Sequence, residues 1–205
     1  MKVFSLLVIA LAILRFMTEY FLISDELIYD SLINQLSYER ISEMLNQGKE
    51  WQWLSYVFLP ILVFVKILFV VACFSIGALF LDIENGFKKF YTIAVNAEFV
   101  FIAPGLIKLF WFSFLKIDYT LLDLRNFSPL SMFSFFNQTE LDAWLVYPLQ
   151  LLNAFELLYW VVLAYQLQKV LGESLSGSIG FVSKTYGAGL FIWVIFVMFL
   201  IVSIS

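Results

Sequence analysis

The 205-residue chain contains no histidine. Its absence removes the commonest general base, the commonest neutral metal ligand and any His-centred triad. There is one cysteine, Cys73, inside an apolar run. A single cysteine closes no internal disulfide and builds no zinc site, so Cys73 is expected to be a small apolar packing residue. Charge is scarce as well. Charged residues make up 14% of the chain, with 12 basic against 16 acidic and a formal net charge of −4. That balance offers no basic stripe for nucleic acid. Only four prolines occur, and no Pro/Ser-rich linker or internal repeat divides the chain.

What is present is apolar. The chain is 62% hydrophobic and 20% aromatic, and its mean hydropathy is +0.93. Soluble domains average about 45–50% apolar and about 25% charged. A soluble fold of this size has too little interior to hide the excess, whereas lipid can accept it. The expected fold class is an all-α polytopic membrane bundle, one domain over residues 1–205.

A spanning helix needs about 20 mostly apolar residues. Five runs qualify, at about 3–23, 58–81, 90–114, 144–167 and 186–204. The alternation of a membrane β-barrel is absent from the sequence. The first run meets Arg15 with no small-x-small cleavage site behind it, so it is expected to be an uncleaved helix rather than a signal peptide. Trp53 to Leu81 as one straight helix would measure about 43 Å against about 30 Å of hydrocarbon. Pro60 offers a break, with Trp51 and Trp53 as interfacial anchors before it and the crossing starting near Ile61. Pro104-Gly105 is expected to kink or split the third span. Pro148 falls in the first turns of the fourth, where it is better tolerated.

Two connections are long. In the first, apolar residues recur at helical spacing from Leu27 to Leu45, which predicts one or two amphipathic helices at about 25–47. Ser24 suits the start, Asp25 and Glu26 suit the first turn, and Gly48 suits the end. The charged face is mostly acidic, which is wrong for anionic headgroups, so packing on the bundle or a partner is expected. The second connection, 116–143, carries an apolar half around Met132, Phe133, Phe135 and Phe136 that suits a re-entrant or interfacial stretch. It also holds two formal glycosylation triplets, Asn126-Phe127-Ser128 and Asn137-Gln138-Thr139, of little weight. Glycines from Gly172 to Gly189 suggest close helix approach or a mobile loop. They lack the spacing of a nucleotide-binding loop, so no cofactor is expected.

Lys2, Lys88, Lys89, Lys169 and Lys184 fall on one side of this arrangement, and Arg40, Lys49, Lys116 and Arg125 on the other. The first set sits in short segments beside helix ends, where basic residues count most. That predicts a cytoplasmic N-terminus and an external C-terminus.

Six ionisable residues fall inside the spans: Arg15, Glu19, Lys66, Glu98, Lys108 and Glu156. An unpaired charge at the bilayer centre costs roughly 2.5–3.5 kcal/mol on insertion scales. Three bases against three acids is the balance of a paired network. Arg15 and Glu19, four apart, share a helix face, and both can also reach water near the helix end. Lys66 is expected to neutralise Glu98 or Glu156, with Asn96 and Asn153 hydrogen-bonding nearby. This polar core either locks helices together or serves protons or a polar solute. No metal site is expected.

The run Leu151-Leu152-Asn153-Ala154-Phe155-Glu156-Leu157-Leu158-Tyr159-Trp160 opens a span. Ala164-Tyr165-Gln166-Leu167, a short Ser/Gly/Lys loop and a final apolar helix follow it. Together with Phe127-Ser128-Pro129-Leu130-Ser131-Met132, this resembles the bacterial form of the Yip-domain (Ypt-interacting protein) membrane family, over about Phe69 to the end. The resemblance implies five spans with the N-terminus inside, in a bacterial inner membrane. The Asp-Leu-Tyr-Gly-Pro signature of the eukaryotic members is absent, so their Rab-binding role is not carried over.

The expected role is a scaffold or accessory subunit rather than an enzyme, working in the bilayer with a membrane-protein partner or a second copy. The rivals are a transporter or permease component using the carboxylate–lysine core, and an intramembrane enzyme with Ser or Glu at the wall of a polar cleft.

Overall fold

The computed structural model describes residues 2–81, 86–137 and 141–204. Among these the secondary structure is helical, with one isolated antiparallel bridge between Ser131 and Asn153. Of the triplet at 137–139, only Asn137 falls within the described residues. Among the described residues, four helices are long and apolar enough to cross a membrane: Lys2–Leu22, Tyr38–Phe80, Phe87–Leu115 and Leu175–Ile204.

The chain forms two compact units. One comprises Met1–Phe64 with Ile102–Phe127, the other Val65–Phe101 with Ser128–Ser205. In the first unit, α1 (Lys2–Leu22) leads to α2 (Asp25–Leu32). Ser24 caps α2, its hydroxyl accepting from the Leu27 amide at 3.1 Å. Lys49 pairs with Asp25 at 2.7 Å, and Tyr29 stacks on Tyr38 with ring centres 4.9 Å apart. The short acidic helix thus lies against its own unit.

The rest of the expected amphipathic segment is different. From Tyr38 onwards it belongs to α3 (Tyr38–Phe80), which continues through both Gly48 and Pro60. Gly48 sits among good helix formers, Glu43 to Gln47 before it and Lys49-Glu50 after it, which offset its cost of about 1 kcal/mol. Pro60 removes one amide donor, a loss that apolar membrane helices tolerate through local adjustment of the neighbouring turns. Neither residue ends the helix, so no separate interfacial segment precedes Ile61.

In the third span, α4 (Phe87–Ala97) tightens into a 3₁₀ turn at Glu98–Phe101 before α5 (Ile102–Phe110) resumes. The irregular turn lies just ahead of Pro104, whose ring crowds the carbonyl four residues earlier. A π turn at Trp111–Leu115 closes the span. Within the first unit α5 packs along α1. Leu22, Phe112 and Leu124 bury a small cluster there, flanked by Leu27, Leu109, Tyr119 and Phe127. The short α6 (Leu121–Asn126) opens with a reciprocal capping box between Thr120 and Asp123. A hydrogen bond from Lys116 and one from the Thr120 amide hold the Asp123 carboxyl down to about 2.

The expected fourth span is broken. Residues 143–171 form α7 (Ala143–Leu151) and α8 (Ala154–Leu171), separated at Leu152-Asn153. Asn153 caps α8 by accepting from the Glu156 amide at 2.8 Å. The backbone freed at the break pairs with 130–132: Met132 N–H donates to the Leu152 carbonyl at 2.9 Å, and Ala154 N–H to the Leu130 carbonyl at 3.1 Å. A 3₁₀ turn at Met132–Phe135 follows and buries Phe133.

Three apolar faces build the second unit. Ile67, Val70, Val71, Phe74 and Ala78 of α3 recur at helical spacing and are buried, as are Phe90, Ile93, Ala94 and Ala97 of α4. Tyr159, Leu163, Ala164 and Leu167 of α8 repeat the pattern. Phe74 meets Phe90 and Phe181, each with ring centres 5.8 Å apart. At Gly77 a Cβ would collide with Thr185 and Phe181, so glycine sets how closely the chains approach.

Of the two expectations for the glycines after α8, close approach holds at Gly187 and Gly189, where a Cβ would meet Trp160 and Cys73, and the connection itself is a tight turn. Gly172 ends α8 in the left-handed region at φ 67°, which glycine adopts without steric cost. Ser174 then caps α9 (Leu175–Val182), which continues through a π turn at Ser183–Gly187 into α10 (Ala188–Ile204). The last span therefore starts earlier than expected and contains Lys184. That removes one lysine from the loop count used for orientation.

Candidate functional site

The six ionisable residues of the expected spans fall into separate groups. In the first unit Glu19 gathers three donors. Arg15 Nε donates to its Oε1 at 2.9 Å, Gln52 Nε2 to its Oε2 at 3.0 Å, and Tyr56 Oη to the same oxygen at 2.6 Å. The Arg15 guanidinium also lies 5.8 Å from the Tyr56 ring centre. Lys108 caps backbone instead of a carboxylate, donating to the Leu124 carbonyl at 2.7 Å.

The second unit holds the deeper group. Lys66 Nζ meets Glu98 Oε2 at 3.0 Å. The ammonium also stands 3.4 Å from the Phe101 ring centre and 5.2 Å from that of Tyr159. A cation over an aromatic face is attracted by the ring quadrupole, more strongly when desolvated. The 3₁₀ turn at Glu98–Phe101 supplies both the carboxylate and the nearer ring, because it places residues three apart on one side.

Glu156 sits one turn into α8, where the Asn153 cap begins the helix. Its Oε1 accepts from Trp160 Nε1 at 2.9 Å and from Tyr186 Oη at 2.9 Å. Glu98 and Glu156 are 4% and 7% exposed, so both carboxyls are withdrawn from solvent. The aromatic rings form a continuous wall: Phe101–Tyr159 at 5.0 Å, Tyr159–Tyr186 at 5.7 Å and Trp160–Tyr186 at 5.9 Å between centres. One ammonium faces two acids, so the second carboxyl relies on neutral donors. The Tyr159 hydroxyl lies near Glu98. Both that hydroxyl and Glu98 Oε1 are nevertheless buried without a completed hydrogen bond among the described residues.

The two expected asparagines serve elsewhere. Asn96 Nδ2 donates to Gln166 Oε1 at 3.3 Å on an exposed face. Asn153 bonds backbone, accepting from Glu156 N–H and donating to the carbonyls of Gln150 and Leu151. An asparagine at a helix start satisfies otherwise orphaned amides, and that outweighs a contact with a distant carboxylate.

Sequence reasoning missed Tyr56, Gln52, Phe101, Tyr159, Trp160 and Tyr186. Trp160, four residues after Glu156, was within reach of helical spacing. Asn153-x-x-Glu156 was also a readable helix start. Tyr186, thirty residues from its carboxylate, had no local signal. No protein-family model, curated protein or solved structure matches the chain.

Proposed function

We propose that the chain is a five-pass membrane protein of Yip-like type that acts as a scaffold or accessory subunit. On this reading it sits in a bacterial inner membrane with its N-terminus cytoplasmic. The fifth pass is the interrupted pair α7 and α8, whose break is supported by the Ser131–Asn153 bridge.

The observation that carries the scaffold role is how the intramembrane charges are used. Arg15 and Glu19 pair with each other, Lys66 with Glu98, Lys108 with backbone, and Glu156 with Trp160 and Tyr186. Groups engaged in this way hold helices in register.

A transporter component is the second reading, favoured by the buried unbonded atoms Glu98 Oε1 and Tyr159 Oη. A chain reconstituted in proteoliposomes separates the two. The scaffold reading expects no protein-dependent proton flux under an imposed gradient, and the transport reading expects a flux abolished by Glu98→Gln. Photo-crosslinkers at Tyr29 and Glu39 in native membranes are expected to give discrete adducts. Failure at every position, with measurable flux, would overturn the scaffold role. Cysteine accessibility near Lys2 and Ser203 tests the fifth pass. Labelling from opposite sides is expected, and labelling from one side contradicts five spans.

A further inference from the structure

The second unit carries a basic groove that the polar centre does not use. It has a volume of about 870 Å³ and is lined by Lys88, Lys89 and Thr92 from α4, and by Tyr165, Gln166 and Lys169 from α8. Three lysines thus converge on one groove. The three lysines are exposed and form no ion pair with a described residue.

Its depth is informative. Lys88 and Lys89 lie in the first turn of the span Phe87–Leu115, and Lys169 lies in the last turn of α8. The lysines therefore mark one end of these helices, at the level of a membrane surface. Below them Lys88, Thr92 and Asn96 recur every four residues on one exposed face of α4. From Lys88 to Asn96 the helix rises about 12 Å. Asn96 meets Gln166 of α8 at the lower end. The Thr92 hydroxyl donates to the Lys88 carbonyl at 2.9 Å, so it is the ammonium groups that call for a polar ligand, which a headgroup between the helices offers and lipid tails do not. Tyr165, 69% exposed, provides an aromatic rim suited to the interface.

We propose that this groove binds the phosphate-bearing headgroup of an anionic phospholipid, with Lys88, Lys89 and Lys169 on the phosphate. Thr92 and Gln166 face the headgroup hydroxyls and glycerol oxygens. Basic grooves between helix ends recognise such headgroups through charge, with hydrogen bonds adding selectivity. The proposal rests on Phe87–Leu115 crossing the membrane and not on a scaffold or transport role.

The test uses the full chain in a non-ionic detergent, with lipid adducts followed by native mass spectrometry. Phosphatidylglycerol is expected to bind more tightly than phosphatidylcholine. A lysine near an anionic surface is worth about a fivefold change, so the triple variant K88Q/K89Q/K169Q is expected to lose ~100-fold in affinity. K184Q is expected to leave binding unchanged, and the triple arginine variant to retain it. Millimolar inorganic phosphate is expected not to displace the lipid. Should the glutamine triple fail to fold, the single variant K169Q, expected to lose about fivefold, decides the matter together with the arginine triple. Equal binding of the two lipids, or undiminished binding by the folded glutamine variants, would overturn the site. Full displacement by phosphate would make it a soluble-anion site rather than a lipid site.

Discussion

In the first unit Glu19 collects Arg15, Gln52 and Tyr56 beside an arginine side chain that is 43% exposed. In the second, Glu98 and Glu156 are buried beneath a wall of four aromatic rings. The units also differ in core. Among the described residues, five buried apolar side chains belong to the first unit and nineteen to the second. A carboxylate that water can reach needs little from its partners, and its pair contributes little to stability. A carboxylate withdrawn into an apolar core must be answered where it stands, and losing the answering group is costly. Similar charge pairs therefore have different consequences in the two places.

The largest effect expected is at Lys66–Glu98, where the carboxylate is buried. The Lys66 side chain is 39% exposed, so Lys66→Met is expected to cost about 3 kcal/mol in denaturant unfolding, the low end for a broken buried pair because water partly screens the lysine. The double variant Lys66→Met, Glu98→Leu is expected to recover most of that loss. Arg15→Gln, by contrast, is expected to cost no more than ~1 kcal/mol. Equal losses in the two units would break the comparison.

Next comes the close packing of the second unit. Gly77→Val forces a side chain into the space held by Thr185 and Phe181. A loss of about 1–3 kcal/mol is expected, read as a lowered thermal midpoint. Tyr186→Phe removes one donor to Glu156 while keeping the ring, and about 1.5–3 kcal/mol is the ceiling if that carboxyl is ionised. A loss near ~1 kcal/mol instead would indicate that Trp160 alone satisfies the oxygen and that the carboxyl is neutral.

The smallest effect concerns Asp123 in the first unit. Its carboxyl is held down to about 2 by Lys116 and Thr120, below an unfolded value of about 3.9. The stability it contributes is present above the unfolded value and is lost as pH falls through about 2. Because Asp123 and Lys116 are both more than a third exposed, water screens the pair. Asp123→Asn is expected to cost about 1 kcal/mol at neutral pH, chiefly through the cap. The difference from the parent should vanish in acid, as followed by thermal unfolding across pH.

The all-helical class was legible in composition, and the Ser24 cap and the Arg15–Glu19 pair in local spacing. Lys66 with Glu98 was one of two pairings the charge balance allowed. The choice between them depends on the 3₁₀ turn that brings Glu98 and Phe101 to the ammonium, and Pro104 was the visible cause of irregularity there. Gly48 and Pro60 misled because both usually end helices, whereas helix-forming neighbours carry α3 through Gly48 and apolar surroundings carry it through Pro60. The break at Leu152-Asn153 was hidden because apolar residues flank a single strong cap. Its backbone partners at 130–132 are distant in sequence. Apart from Trp160, the aromatic wall was unreadable because aromatic residues occur throughout the chain, and only the fold selects Phe101, Tyr159 and Tyr186.

The most direct test of the account is whether Glu98 and Glu156 exchange protons with water. Infrared difference spectra of the full chain in nanodiscs, recorded against pH, with Glu98→Gln and Glu156→Gln for assignment, read the carboxyl bands themselves. Structural groups sealed beneath the aromatic wall are predicted to show no titration between about pH 5 and 9, with the variants altering stability alone. A carboxyl band titrating near neutrality and lost in either variant would contradict that claim and support a working proton site.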